Sequence, residues 1–413
     1  MEIYVHIPFC KSKCNYCDFV SAPGTDAEIE CYVKALVNEI DGCDEKIKNR
    51  KITSVFFGGG TPSVLSIDQT CRVVDALKRN FDLKKLNTGN SALKKAGKFA
   101  FKRLLGGGLS MEPCEAIPPE IEFTIECNPG TVDKEKLMAY KKTGVNRLSF
   151  GLQSTDNDLL KKLGRIHSFE DFTESYYMAR EAGFENINVD LMQALPGQTF
   201  EMFAKDIAKL AVFSPEHISA YSLQLEENTP FYKWHREGKL DLPDEDEERK
   251  IYKYTKEFLE KSGYKRYEIS NYAKPGFECR HNKGYWTREE YIGFGLNSAS
   301  LIDNVRYKNT ENMADYLKAC GDLKVNKELL LAEKEVLSRK AQMEEFMFLG
   351  LRLSEGISKT KFFEVFGQDF DFTYGAVTGK LKAEGTIEID GDTVRLTDLG
   401  VDISNRVLAE FLL

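Results

Sequence analysis

Three cysteines near the amino terminus are spaced closely enough to hold one metal cluster. Cys10, Cys14 and Cys17 form a C-x3-C-x2-C pattern directly after a predicted strand. Thiolates at this spacing can wrap a single [4Fe–4S] cube, and three of them leave one iron without a protein ligand. Structural zinc is the main alternative, but zinc normally takes four Cys or His ligands in paired spacings, and no second pair completes such a site. The pattern therefore favours an iron–sulfur cluster.

Polar residues and glycines that suit ligand binding recur at intervals after the cysteines. Gly58–Gly60 precede Thr61, and glycines let a backbone approach a ligand closely, although a tight strand exit explains them equally well. Further along stand Glu126, Gln153, Arg165 and Asp190. An arginine fork suits a carboxylate, whereas Asp and Gln suit vicinal hydroxyls. Each residue alone could be an ordinary strand-end polar group, but together they indicate a binding site.

The elements that position these residues alternate between short strands and longer helices. Such strand-plus-helix repeats imply parallel pairing with right-handed crossovers, and hence an α/β fold with a partial (βα)6 barrel. In parallel sheets function gathers beyond the carboxyl ends of the strands, where the cysteines and polar residues fall. The six predicted strand segments are EIYVHIP, ITSVFFGGG, IEFTIECNPG, NRLSFGLQS, NINVDLMQALPG and HISAYSLQ.

The chain is expected to divide into a barrel domain over residues 1–307 and a carboxy-terminal domain over residues 308–413. The second part reads as helices followed by a hairpin that turns at Gly391-Asp392, a pattern typical of a small winged-helix-like module. Since it lacks a dense basic recognition face, a structural lid is the better interpretation than a DNA-binding module.

A lysine-rich stretch near residues 86–118 interrupts the alternation. Ordinary connections take a median of about 4–6 residues, so this stretch is predicted to be an insertion. It carries no acidic residue between Leu83 and Met111. A solvated excursion is the plainer interpretation, and the alternative is a surface that docks an acidic partner or a membrane.

The sequence YVHIPFCxxxCxYCDF resembles the start of radical S-adenosylmethionine (SAM) enzymes of the oxygen-independent coproporphyrinogen oxidase group, and the resemblance covers almost the whole chain apart from the insertion. It implies that the open iron binds SAM, whose reductive cleavage gives a 5′-deoxyadenosyl radical. The resemblance also implies a set of SAM-binding residues, with Tyr4, Tyr16 and Ala220 nearby: Gly59, Gly60, Thr61, Glu126, Gln153, Arg165 and Asp190.

Two features of this chain depart from the true oxidases of that group and resemble the HemW heme chaperones. True oxidases carry a further cysteine two residues after the third, where this chain has Phe19, and residues 281–286 read HNxxYW. The resemblance implies that His281 ligates heme iron, with Tyr285 and Trp286 as flat apolar surface. A packed histidine beside a core tryptophan is the alternative, and Cys279 is a rival ligand.

The function expected is therefore a heme chaperone that binds heme and transfers it to an acceptor hemoprotein, which the sequence does not identify. In this interpretation the [4Fe–4S] cluster and SAM are structural or regulatory cofactors. The alternative is an oxygen-independent oxidase that converts coproporphyrinogen III to protoporphyrinogen IX by radical decarboxylation. A radical enzyme for an unrelated substrate is the third hypothesis.

Composition limits the partners and the compartment. The formal net charge of -8 argues against a nucleic-acid partner. No stretch approaches the roughly 18–20 apolar residues that span a bilayer, and the Met1 end lacks a signal-peptide pattern. The remaining cysteines stand singly, as small buried residues do in a reducing compartment. We expect the protein in the cytoplasm, without integral membrane association.

Overall fold

The structure is a computed structural model that describes residues 1–83, 116–322 and 324–413. Residues 84–115, which include most of the lysine-rich stretch, lie outside the described residues. The predictions made for that stretch, including its docking role, therefore concern residues that the structure does not describe. Among the described residues, no helix combines the length and the apolar character needed to cross a membrane.

Six parallel strands form in the predicted segments and pair in sequence order, which confirms the expected partial (βα)6 barrel. Their residues are almost all buried, as expected where helices cover the outer face and side chains fill the inner one. The strands are β1 (Glu2–Ile7), β2 (Ser54–Gly59), β3 (Glu122–Cys127), β4 (Arg147–Gln153), β5 (Ile187–Gln193) and β6 (His217–Ser222).

Helices connect these strands and cover the barrel. Several begin at a capping box: Thr25 pairs with Glu28 in one, and Ser66 pairs with Gln69 in another. These side chains satisfy backbone donors of the first turn. The helices are α1 (Asp26–Asp41), α2 (Glu45–Lys48), α3 (Ile67–Asn80), α4 (Lys134–Thr143), α5 (Asn157–Lys162), α6 (Phe169–Glu181), α7 (Phe200–Phe213), α8 (Pro230–Arg236) and α9 (Glu245–Lys261), with a 3₁₀ turn at Pro62–Val64.

Further strands extend the sheet on both sides of the parallel core. One group follows β6, and the other adds a strand parallel to β1 and three antiparallel strands beyond it, giving twelve strands in all among the described residues. These elements are β7 (Lys265–Arg266), β8 (Asn271–Ala273), α10 (Arg280–Trp286), β9 (Tyr291–Phe294), β10 (Ala299–Ile302), β11 (Val305–Asn309), α11 (Met313–Cys320), α12 (Lys327–Leu330) and β12 (Leu331–Val336).

The carboxy-terminal region has its own apolar core, which includes Met347, Phe362, Tyr374 and Phe411. A three-stranded antiparallel sheet packs with helices in the expected winged-helix-like order, and the predicted hairpin turns at Gly391-Asp392. The elements are α13 (Arg339–Gly350), β13 (Ile357–Ser358), α14 (Lys359–Phe366), α15 (Phe370–Ala383), β14 (Ile387–Asp390), β15 (Thr393–Leu396), α16 (Asp398–Asp402) and α17 (Ser404–Ala409).

The domain division at residues 307/308 stays a prediction. β11 and β12 pair with each other at the edge of the large sheet, and β12 ends at Val336. The second apolar core begins at Met343 in α13. We therefore propose that the structural division falls between β12 and α13 rather than at residues 307/308, which lie within β11.

Candidate functional site

A cavity of about 330 Å³ opens at the carboxyl ends of the parallel strands. Most of the residues predicted for the cluster and for SAM line it, although they come from loops far apart in sequence. The predicted residues in its lining are Cys10, Cys14, Tyr16, Cys17, Gly59, Gly60, Thr61, Glu126, Gln153, Arg165 and Asp190. Tyr4, Ala220 and His281 are predicted residues that do not line it.

The three cysteines lie on the loop after β1 as half-buried free thiols. The Thr61 hydroxyl donates to Cys10 Sγ at 3.4 Å, and Arg165 Nη1 donates to Cys14 Sγ at 3.6 Å. Burial raises the pKa of Cys17. Among the described residues, no group of three or more His, Cys, Asp or Glu side chains is arranged to hold a single metal ion. The three thiols line one cavity together with most of the residues predicted for SAM.

The glycine loop after β2 packs directly against the cysteine loop. Gly59 has a φ of +106°, and a Cβ there would lie 2.4 Å from the His6 ring. A Cβ on Gly60 would lie 2.7 Å from the carbonyl oxygen of Phe9. Glycine is therefore required at both positions, because a side chain at Gly59 would clash with His6 of β1 and one at Gly60 would clash with the backbone that leads into the cysteine loop.

Two carboxyl groups face the cavity from β3 and β5. Glu126 Oε2 accepts a hydrogen bond from the Gly59 backbone N–H at 3.2 Å. Burial, and then the nearby charge of Asp190, raises the pKa of Glu126 to about 8. Burial also raises the pKa of Asp190, which accepts from Asn188 Nδ2 at 2.7 Å. Perturbed carboxyls in a cavity are typical of a ligand-binding site.

Arg165 places a cation beside the cysteines. Its Nη2 donates to Asn128 Oδ1 at 2.7 Å and to the Gly151 carbonyl at 2.6 Å. Its Nε is buried and has no hydrogen-bond partner in the described part of the chain. An unused buried donor on a guanidinium leaves a site for an anionic ligand group.

Gln153 ends β4 in a strained conformation. Its φ is +71°, and the pairing of β4 with β5 shifts register between Gly151 and Gln153. The Tyr221 hydroxyl donates to Gln153 Oε1 at 3.1 Å. Positive φ in a residue other than glycine is uncommon and clusters at functional sites, so the bulge aims this amide into the cavity at a conformational cost.

Two predicted neighbours of SAM lie beside the cavity instead of lining it. Ala220 is fully buried, and the lining of the cavity takes Ser219 and Tyr221 on either side of it, because alternate residues of a strand face opposite sides. Tyr4 lies deeper on β1, with its hydroxyl hydrogen-bonded to His6 Nδ1 at 3.0 Å. The alternation of β6 was the signal that could have identified Ser219 and Tyr221.

Other residues of the site were missed from sequence. Asn128 bonds both Arg165 and Thr61, the latter at 2.7 Å, and it lies in the ECNPG segment that supplied Glu126. Asn271 at the start of β8 and Asn282 in α10 also line the cavity. No short motif marked Asn271, whereas Asn282 follows His281 directly.

His281 lies at the other end of the barrel, against the amino-terminal ends of the strands. It is only 2% exposed. Its Nδ1 is hydrogen-bonded to Ser54 Oγ at 2.8 Å and its Nε2 to the Tyr285 hydroxyl at 3.1 Å. The ring stacks on Phe56 with centroids 5.0 Å apart. Heme ligation by His281 stays a prediction, and it requires one of these nitrogens to be released.

Glu2 lies next to His281 without forming an ion pair. Glu2 Oε2 is 3.7 Å from His281 Nδ1. Burial raises the pKa of Glu2 to about 9, and burial lowers the pKa of His281 to about 3. Both groups are therefore uncharged at neutral pH, and the imidazole is in the form that can bind a metal. Cys279, the rival ligand, is fully buried and donates to Glu122 Oε1 at 3.4 Å.

Comparisons with known proteins show which families this chain resembles. Residues 4–210 match the radical SAM superfamily, and residues 337–403 match the HemN C-terminal domain. The chain is 37% identical over 411 residues to the heme chaperone HemW of Lactococcus lactis, covering 99% of this chain and 97% of that protein. It is 35% identical to the heme chaperone HemW of Bacillus subtilis, covering 99% of this chain and 98% of that protein.

A solved structure shares the fold. Coproporphyrinogen III oxidase (HemN) from Escherichia coli superposes with a TM-score of 0.79 at 21% identity, covering 100% of this chain and 89% of that one. At this identity the likeness concerns the fold alone. The full-length likeness to the chaperones is closer, and the chain belongs to the HemW heme chaperone family of the radical SAM superfamily.

Proposed function

We propose that this protein is a heme chaperone, which binds heme and transfers it to an acceptor protein. The observation that carries the proposal is the likeness to HemW proteins over 99% of the chain. Phe19 supports it, because the position where true oxidases are expected to have a further cysteine holds an aromatic ring that is 63% exposed. We place this function in the cytoplasm, where single free thiols such as those in the described residues stay reduced.

Membership of the radical SAM superfamily gives the protein a [4Fe–4S] cluster and SAM as cofactors. In our proposal the cluster is held by Cys10, Cys14 and Cys17. With the cluster and SAM bound, reductive cleavage of SAM would supply a 5′-deoxyadenosyl radical at this site. The unused Nε of Arg165 can donate to the SAM carboxylate. The remaining proposed SAM contacts are Gly59, Gly60, Thr61, Glu126, Gln153 and Asp190, with Tyr4, Tyr16 and Ala220 nearby.

The proposed heme ligand is His281. Its lowered pKa keeps the imidazole neutral, as iron ligation requires. The ring is enclosed in the present conformation, so heme must bind after α10 has moved away from the barrel.

Hemin titration of the protein with an anaerobically reconstituted cluster tests this proposal. We expect stoichiometric binding, followed by the Soret absorbance of the bound heme, and a changed spectrum in His281→Ala. The matched control is His235→Ala, because His235 is an exposed histidine on α8. Absence of stoichiometric binding to the wild type would refute the chaperone proposal. Spectra unchanged in His281→Ala would refute only the assignment of the ligand.

A further inference from the structure

The position of α10 decides whether heme can reach His281. The present inference rests on the proposed function, in which that imidazole ligates heme iron. Glu122 at the start of β3 holds the amino-terminal end of α10, since its carboxylate accepts from the backbone N–H groups of Arg280 at 3.0 Å and His281 at 3.1 Å. A Cβ on Gly284 would lie 2.2 Å from Glu2 Oε1, so the helix lies tightly on the barrel.

The outer side of α10 is held by the carboxy-terminal region. Arg288, just after the helix, donates from Nε to Glu345 Oε2 on α13 at 2.9 Å. The side chains of this ion pair are only 9% and 6% exposed. Glu345 also pairs with Arg306 of β11, at 2.8 Å. A buried carboxylate shared by two arginines is costly to leave incomplete, so this contact fixes the end of α10.

A second contact from the same region holds Trp286. The Arg352 guanidinium lies 4.3 Å from the centre of the Trp286 ring. The indole Nε1 is buried and makes no hydrogen bond within the described part of the chain. The contacts of this ring therefore include a cation that belongs to the carboxy-terminal region. The Arg352 side chain is 28% exposed, and its Nη2 also lies 3.9 Å from Glu268 Oε2.

The backbone beside these contacts is strained. Arg288 has a φ of +56°, a conformation that residues with a side chain rarely adopt. Such a conformation persists only where surrounding contacts impose it. The ion pair with Glu345 is a contact of that kind, and its loss favours relaxation of the segment that ends α10.

We infer that Glu345 and Arg352 are positioning residues for His281. They hold α10 against the amino-terminal ends of the barrel strands and thereby keep heme from reaching the imidazole. Weakening either contact opens the helix more often, because the closed state loses one of the interactions that distinguish it from the open state. The carboxy-terminal region thus controls access to the proposed heme ligand, and an acceptor or donor that shifts α13 would open it.

Chemical modification of histidines measures this opening without heme. We would treat the full-length protein with diethyl pyrocarbonate and follow each histidine by peptide mass. The variants are Glu345→Gln, with Glu344→Gln on the same helix as control, and Arg352→Met, with the exposed Arg339→Met as control. Loss of one such contact is expected to raise the modification rate of His281 about tenfold. The rate at His167, whose ring bonds Leu152 near the opposite end of the barrel, should stay constant.

Each outcome decides a separate point. A rate at His281 that stays at the wild-type value in one variant would remove that residue from the proposal, and no change in both would overturn it. A parallel rise at His167 would also overturn it, because general loosening would then explain the result. Hemin association, measured by stopped flow, should accelerate with the modification rate. Faster modification without faster hemin association would refute His281 as the heme ligand while the positioning role stands.

Discussion

The two ends of the barrel differ in how their proposed ligand-binding side chains are partnered. At the carboxyl ends of the strands, the Arg165 Nε has no partner in the described residues and Gln153 is strained toward a cavity. At the amino-terminal ends, both ring nitrogens of His281 and of His217 are bonded within the chain. The first end is prepared for ligands as it stands, whereas the second must first open.

The end of the barrel at the carboxyl ends of the strands, here called the open end, should depend most on its cluster ligands. We expect Cys14→Ala to lose the cluster almost completely, because only two of the three proposed thiolates remain to hold it. The measurement is iron and acid-labile sulfide per chain after anaerobic reconstitution. Cys31→Ala is the control, since Cys31 is exposed on α1 and does not line the cavity. Full cluster content in Cys14→Ala would show that the ligand assignment is wrong.

The end of the barrel at the amino-terminal ends of the strands, here called the closed end, should depend on Glu122 for stability. Glu122→Gln removes the charge that accepts two backbone N–H groups of α10, and bonds to charged groups contribute about 1.5–3 kcal/mol each. We expect the free energy of unfolding in urea to fall by about 3 kcal/mol. Glu120→Gln, an exposed position two residues earlier, should change little. An equal loss in the free energy of unfolding for Glu122→Gln and Glu120→Gln would show that Glu122 has no special structural role at this end of the barrel.

The same end should give a pH dependence through Glu2. Burial raises its pKa from 4.5 to about 9, so the folded protein holds this proton where the unfolded chain releases it. The stabilisation is complete below pH 4.5 and is lost as the pH rises toward 9. Within that window the contribution falls by about 1.4 kcal/mol per pH unit.

Glu2→Gln should flatten this dependence. Its free energy of unfolding, measured at pH 6.5 and 7.5, should change less between the two values than that of the wild type, by about 1.4 kcal/mol. The exposed Glu135→Gln serves as the control and should keep the wild-type slope. An unchanged slope in Glu2→Gln would mean that this carboxyl is not held protonated in the folded protein.

The sequence predicted the open end far better than the closed one. Strand periodicity located all six parallel strands. The spacing of the cysteines located the loop on which these cysteines line the cavity. The prediction of Ala220 as a neighbour of SAM stays a prediction, and the alternation of β6 places its neighbours Ser219 and Tyr221 in the lining of the cavity. The hairpin at Gly391-Asp392 was predicted because its turn is local.

The enclosure of His281 has no local signal. Glu122, which anchors its backbone, is 159 residues away in sequence, and Glu345 is 57 residues beyond Arg288. Contacts of such separation arise only once the barrel has formed, so the motif HNxxYW could suggest a ligand but not its burial.

Phe19 should give the smallest effect on stability, and it sharpens the comparison. Its ring is 63% exposed at the cavity mouth, so Phe19→Ala should change the free energy of unfolding by no more than about 0.5 kcal/mol. Phe9, only 5% exposed and close to the same cysteines, is the matched control, and Phe9→Ala should cost about 3–5 kcal/mol. A similar loss in both variants, measured by urea unfolding, would mean that Phe19 serves packing. The expected difference between the two variants would show that Phe9 packs this end of the barrel and that Phe19 contributes little to its stability.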